Sequence, residues 1–298
     1  MLKIRLLKDT VARRTMLILT IVCFLILFSI GIGLLYKSMP ILHEKNLWQL
    51  LTTSKWRPSK GEYGFAAYII STIEVTGIAI LLALPLSLMS AIYISEYSSK
   101  TIRRFFNPVI DLLSGIPPVI YGVWGTLTIV PLIANVIAPH FVDFSTGYSV
   151  LAAGIVLAVM IMPLIISILL DVFDAVPKEL REASLSIGAT KWQTIKKVVL
   201  RKSFPGIVAA VVLAISRALG ETIAVLMVAG NFTDIPKTIF DACYPLPALI
   251  ANNFGEMMSM PEYESALMLA AFLLFIIIVI FNAVSRWILT EIDKRYHL

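Results

Sequence analysis

The chain has 298 residues, of which 58% are hydrophobic and only 15% charged, with a formal net charge of +6. A soluble domain carries about a quarter charged residues, so this chain lacks the polar side chains to coat a water-facing core, and a soluble enzyme is excluded. Two cysteines, Cys23 and Cys243, read as unpaired, and three histidines without ligand spacing give no reason to expect a disulfide framework, a metal site or a cofactor.

From the N-terminus, a basic tail over 1–15 carries Lys3, Arg5, Lys8, Arg13 and Arg14, and an uncharged run of about 21 residues follows at 16–36. Signal-peptide apolar regions run about 7–15 residues, so this run reads as a retained first transmembrane helix, 16–38. An extracytoplasmic segment over 39–65 leads to a five-helix core spanning 66–290, whose apolar runs lie at 66–94, 108–133, 149–170, 205–230 and 265–289. A short tail, 291–298, closes the chain. The fold expected is all-α and polytopic, with about six spans and both termini on one side.

Lysine and arginine placement orients these spans. The side of the termini carries eighteen: five in the tail, three in 96–107, seven in 171–204 and three at the C-terminal end. The other side carries six, and Arg217 lies inside the fifth run. This bias predicts cytoplasmic termini, and positive charge flanking apolar runs speaks for membrane topology rather than nucleic acid.

Pro108, Pro117, Pro118 and Pro131 crowd the third run with Gly115, Gly122 and Gly125. Prolines free backbone carbonyls that need protein or water nearby in a bilayer. The run therefore belongs inside the bundle, either as a kink that serves packing or as a broken helix lining a pathway. Asp111, near the cytoplasmic end of this run, reads as structural; Glu74, deeper in the second, has no assigned role.

The cytoplasmic loop 173–204 reads as two short helices around a sharp turn. Pro177 suits a first helical position, with Glu179 and Glu182 in the opening turns. Gly188 is a stop, and Thr190 followed by Gln193 forms a capping box for the second helix. Leu180, Ala183 and Ile187 share one apolar face, and Trp192, Ile195 and Val199 another. Lys191, Lys196, Lys197, Arg201 and Lys202 suit anionic lipid heads as well as they suit a partner surface.

In the fifth run Arg217 and Glu221 are four residues apart and are expected on one helical face. Gly206, Ala210, Ala214, Ala218 and Thr222 form a small-residue stripe that permits close helix approach. Two readings stand: an ion pair that neutralises itself, or a cation that meets an anion in transit. No G-x-x-x-x-G-K-[ST] run is present, so an energy source would lie on another chain. A secondary transporter with two similar halves finds no support in the sequence, nor does a membrane enzyme with converging acids, histidines or nucleophile.

Glu182-Ala183-Ser184, then Gly188, and after a basic helix Phe204-Pro205-Gly206, resemble the "EAA" loop of importer-type ABC permeases, with serine where the family often has alanine. The resemblance implies a type I importer permease fold. It also implies a coupling helix fitted to a cytoplasmic ATPase, with Glu182, Ala183, Ser184, Gly188 and Thr190 as docking residues. The run Ser114-Gly115-Ile116-Pro117-Pro118-Val119-Ile120-Tyr121-Gly122 resembles the "AGIPSVVYG" run of phosphate importer permeases, as does Arg217-Ala218-Leu219-Gly220-Glu221-Thr222-Ile223-Ala224-Val225. Trp56-Arg57-Pro58 and Glu62-Tyr63-Gly64 look like the PstC branch rather than PstA. This second resemblance implies phosphate as cargo, with Arg217, Glu221, Thr222, Ser114 and Gly115 along its route. It further implies a PstA-like second permease, two PstB-like ATPase subunits, a PstS-like phosphate-binding protein and a prokaryotic inner membrane as setting. Physics alone leaves sulfate, molybdate and tungstate open, each a tetrahedral oxyanion.

Overall fold

The computed structural model describes residues 2–255 and 260–296. Met1, positions 256–259 and the last two residues of the predicted tail 291–298 lie outside the described residues. Six helical stretches among the described residues are long and apolar enough to cross a bilayer: Lys8–Glu44, Ala66–Tyr97, Pro118–His140, Val150–Asp174, Lys191–Leu219 and Pro261–Ile292. The chain is a multi-pass membrane protein.

Helix α1 (Leu2–Glu44) packs beside α13 (Pro261–Tyr296) and leaves most of its surface outward. Its apolar side chains face lipid, a solvent as apolar as they are, so outward Phe24 and Leu27 need no protein cover. The short helix α2 (Leu47–Thr52) and a hairpin of β1 (Trp56–Arg57) and β2 (Glu62–Tyr63) follow. Gly61 turns the hairpin at φ 67°, in the left-handed region that favours glycine. Trp56 lies 5.4 Å from Tyr63, 5.6 Å from Phe65 and 5.3 Å from Tyr68, ring centre to ring centre. This aromatic cluster closes one end of the bundle and ties α13 to it through Tyr263, 6.2 Å from Trp56. Lys37 and Glu264 pair there at 2.7 Å.

The centre of the bundle is α7 (Val150–Asp174), packed along α3 (Ala66–Ile92). In lipid no hydrophobic force drives helices together, so association rests on close van der Waals approach. Small residues supply it: Ala79 and Ala83 of α3 and Ala152 and Ala153 of α7 are fully buried. A Cβ on Gly154 would come within 2.5 Å of Ile78, so α3 and α7 meet there as closely as glycine permits. The stripe on α10 (Leu200–Leu219) behaves as expected over Ala210, Ala214 and Ala218, all buried, and Gly206 abuts Val172 of α7.

Two spans differ from the sequence reading. The third does not begin at 108. Lys100–Ser114 is a separate amphipathic helix, α4, and the span starts at Pro118 with α5 (Pro118–Trp124). It continues through π-helical turns at Gly125–Ile129 and Ile133–Ile137, which flank α6 (Val130–Leu132). Asp111 is therefore an exposed residue of α4, outside the span. The fifth begins earlier, with α9 (Lys191–Thr194) and a π-helical turn at Ile195–Val199 running into α10, and ends at Leu219. Beyond a break lie α11 (Ile223–Val228) and, after an irregular stretch, α12 (Leu246–Asn253). Hydropathy is continuous across both breaks, which is why apolar runs alone hid them.

Candidate functional site: two helix breaks and a docking helix

The first break has a local cause. The residue before a proline is pushed out of the helical region, so Ile116 and Pro117, each followed by proline, cannot extend α4. Pro117 is extended at φ −58° and ψ 137°, and Pro118 opens α5 at a first position where its missing N–H costs nothing. The Tyr121 hydroxyl reaches back across the break and donates to the Leu113 carbonyl at 2.8 Å. Ser114 and Gly115 lie at the break itself, both exposed; the serine hydroxyl donates to the Asp111 carbonyl of its own helix at 2.9 Å.

At the second break, Gly220 ends α10, its N–H donating to the Arg217 carbonyl at 3.3 Å. Glu221 and Thr222 lie beyond the helix, so Arg217 and Glu221 do not share a helical face. The Glu221 carboxylate accepts from the Ala224 N–H at 3.4 Å, at the start of α11, and the Thr222 hydroxyl donates to the Gly220 carbonyl at 3.2 Å. Ion pairs among the described residues are Lys37–Glu264, Arg103–Asp174, Arg181–Glu96 and Lys294–Glu291. Arg217 is in none of them. The self-neutralising pair is not formed, and Glu74, half-buried in α3, has no ion-pair partner among the described residues either.

The two breaks are held together by α5 packing on α11. A Cβ on Gly122 would lie 2.6 Å from the Met227 sulfur, and one on Gly125 2.5 Å from Val156 and 2.9 Å from Val228. The Thr126 hydroxyl is within donating distance of the Gly122 carbonyl at 3.0 Å and the Met227 carbonyl at 3.2 Å, bridging the seam. Arg217 is exposed on the last turn of α10. Thus the predicted Arg217, Glu221 and Thr222 stand at one break and Ser114 and Gly115 at the other. Tyr121 stands out in the sequence only as part of its motif; its place as the strap across the first break emerges from the fold.

At the other end of the bundle lies α8 (Lys178–Ser186), in the connection between the fourth and fifth spans. Gly188 takes φ 86°, a backbone that disfavours any Cβ, and Thr190 and Gln193 form the expected capping box, with bonds of 3.3 and 2.9 Å. Glu182 and Ala183 are exposed, whereas Ser184 bonds Thr194 of α9, oxygen to oxygen, at 2.9 Å. The apolar face predicted for the second helix is mostly turned inward. Ile195 and Val199 are buried against the bundle and Trp192 alone of that set stays out. What remains outside is Leu180, Leu185, Ile187 (84% exposed) and Trp192, apolar side chains of α8 and the start of the fifth span of the kind that marks an interaction site.

Residues 83–298 match the family model of the binding-protein-dependent transport system inner membrane component. The chain belongs to that family. It is 33% identical over 97% of its length, and 92% of the relative's, to the phosphate transport system permease protein PstC of Mesorhizobium japonicum. It is 32% identical to the protein of the same name from Haemophilus influenzae, over 96% of this chain and 94% of that one. Among solved structures, the bacterial alginate ABC transporter in complex with an alginate pentasaccharide-bound periplasmic protein aligns at a TM-score of 0.60. It is 19% identical and 91% of each chain is covered, which makes the fold that of an ABC importer permease. As a member of this family the chain is a transport component.

Proposed function

We propose that this chain is a translocation subunit for inorganic phosphate in an ATP-driven importer. It would form a pseudo-symmetric pair with a PstA-like permease, powered by two PstB-like ATPase subunits seated on α8 and supplied by a PstS-like phosphate-binding protein. The charge bias of the loops supports a cytoplasmic α8 and cytoplasmic termini in a prokaryotic inner membrane. The relatives named PstC, alike over nearly the whole chain, support the cargo.

The observation that carries the reading is Arg217, exposed and without an ion pair among the described residues, on the last turn of the fifth span where Gly220 breaks it. An arginine at mid-bilayer costs about 3 kcal/mol on insertion scales, so such residues face water or a bundle interior. A guanidinium presents forked donors that match phosphate oxygens two at a time and keeps its charge at any physiological pH. With Glu221 turned to the start of α11, the cation is left for a passing anion. Release matters as much as capture, and one cation without a built cage binds weakly enough to let the anion go. Ser114, Gly115 and Thr222 border the same breaks and would line the route.

The test is uptake of labelled phosphate by vesicles holding the assembled complex, binding protein and ATP. Uptake that excess unlabelled sulfate leaves intact is expected. Absence of phosphate uptake, or suppression by sulfate as strong as by unlabelled phosphate, would overturn the cargo.

A further inference from the structure

Behind the docking helix, Arg181 joins parts of the chain that the sequence keeps far apart. Its Nε and Nη2 donate to Glu96 Oε1 at 3.2 and 2.9 Å. Its Nη1 donates to the Val176 carbonyl at 2.6 Å and its Nη2 to the Phe173 carbonyl at 2.7 Å. Glu96 belongs to the π-helical turn Tyr93–Tyr97 that ends the second span, and Phe173 lies in the last turn of α7. One guanidinium on α8 thus grips the cytoplasmic ends of the two most closely packed spans.

Burial sets this ion pair apart. Its side chains are 19% and 10% exposed, against 58% and 37% for Lys37–Glu264. An exposed pair contributes little, but removing one partner of an enclosed pair strands the other charge and is strongly destabilising. The Phe173 carbonyl accepts from the Val176 N–H at a long 3.3 Å and lies at the negative pole of α7, so a cation there is favoured. Only arginine has the fork to serve a carboxylate and two carbonyls together; lysine is a point charge on a flexible stem. Neighbouring contacts extend the grip. Ser184–Thr194 ties α8 to the base of the fifth span, the Lys191 ammonium lies 4.8 Å from the Tyr97 ring centre, and Arg103 of α4 pairs with Asp174 of α7.

We propose that Arg181 is the positioning residue that carries displacement of α8 into the membrane, moving α3 and α7 as one body. The inference rests on the reading of α8 as the ATPase seat. Because α7 also packs on α5, α10 and α11, a shift of its cytoplasmic end bears directly on the seam between the two breaks. Severing the grip would then leave ATPase binding in place but disconnect it from the passage.

The experiment compares Arg181→Gln, Arg181→Lys and Glu96→Gln with wild type in the full complex in vesicles. It reads ATPase co-purification, phosphate uptake, and ATP hydrolysed per phosphate. Arg181→Gln is expected to keep the ATPase bound while uptake falls about tenfold and ATP hydrolysed per phosphate rises. Arg181→Lys should recover part of the coupling. Glu96→Gln, which weakens only the α3 arm and leaves α8 untouched, should raise the ratio by a smaller factor. A wild-type ratio in either Gln variant overturns the proposal, and so does loss of the ATPase from Arg181→Gln, which would make the residue a support for the docking surface alone. Failure of the underlying reading shows separately, in a wild-type complex that takes up no phosphate.

Discussion

The end of the bundle that carries α8 and the break at Gly220 handle charge in opposite ways. Beside α8, Arg181 has four hydrogen bonds and Arg103 an ion pair, so α8 and the span ends are tied together. At the break, Arg217 stands exposed with Glu221 turned to another task. The proposed lever has to be stiff and the proposed passage vacant. The same residue type suits both roles because its surroundings decide whether its charge is matched within the chain or left open.

The strongest way to break this contrast is to remove the charge at the passage. Arg217→Gln is expected to abolish phosphate uptake while ATPase co-purification persists, and Arg217→Lys to retain a fraction, since it keeps the charge and loses the fork. Normal uptake by Arg217→Gln in vesicles would end the contrast. Next comes the seam. Gly122→Leu drives a side chain into Met227, and overpacking of this kind costs about 1–3 kcal/mol, read as a lower unfolding temperature of the purified complex together with impaired uptake. An unchanged melting profile would show that α5 and α11 are not held as closely as their glycines imply.

Smaller effects belong to the docking end, where several contacts share the load. Thr190→Ala removes the capping-box acceptor, worth about 1 kcal/mol, and should weaken ATPase retention about fivefold in a detergent wash series. Ser184→Ala deletes a single hydrogen bond, net about 1 kcal/mol or less, and should change uptake by under about twofold. A large loss from Ser184→Ala would mean that the Thr194 contact, rather than Arg181, is the main tie of α8.

Some of this was open to reading in the residues. The capping box at Thr190 and Gln193 is a local pattern of two side chains three positions apart, and it formed as expected. The alanine stripe of α10 was legible because spacing alone fixes a helical face. The break at Ile116 was within reach too, since a residue before proline resists helix, but the long apolar run concealed it. Gly220 was harder, because a lone glycine is tolerated in a span, and Glu221 beyond it turns to the Ala224 N–H only in the fold. Arg181 and Glu96 are 85 positions apart, and nothing in either neighbourhood names the other. Local chemistry is written along the chain; the choice of distant partners is made by packing.

The central claim is that Arg217 faces an aqueous passage that phosphate enters. The direct measurement replaces Arg217 with cysteine in a chain whose Cys23 and Cys243 are changed to alanine, then times labelling by a small anionic thiol reagent in the assembled complex. Labelling that is rapid in at least one nucleotide state and slowed by phosphate is the result predicted. A thiol that stays unlabelled in every state, or labels at a rate phosphate does not alter, would place that position against lipid or a sealed interface and contradict the account.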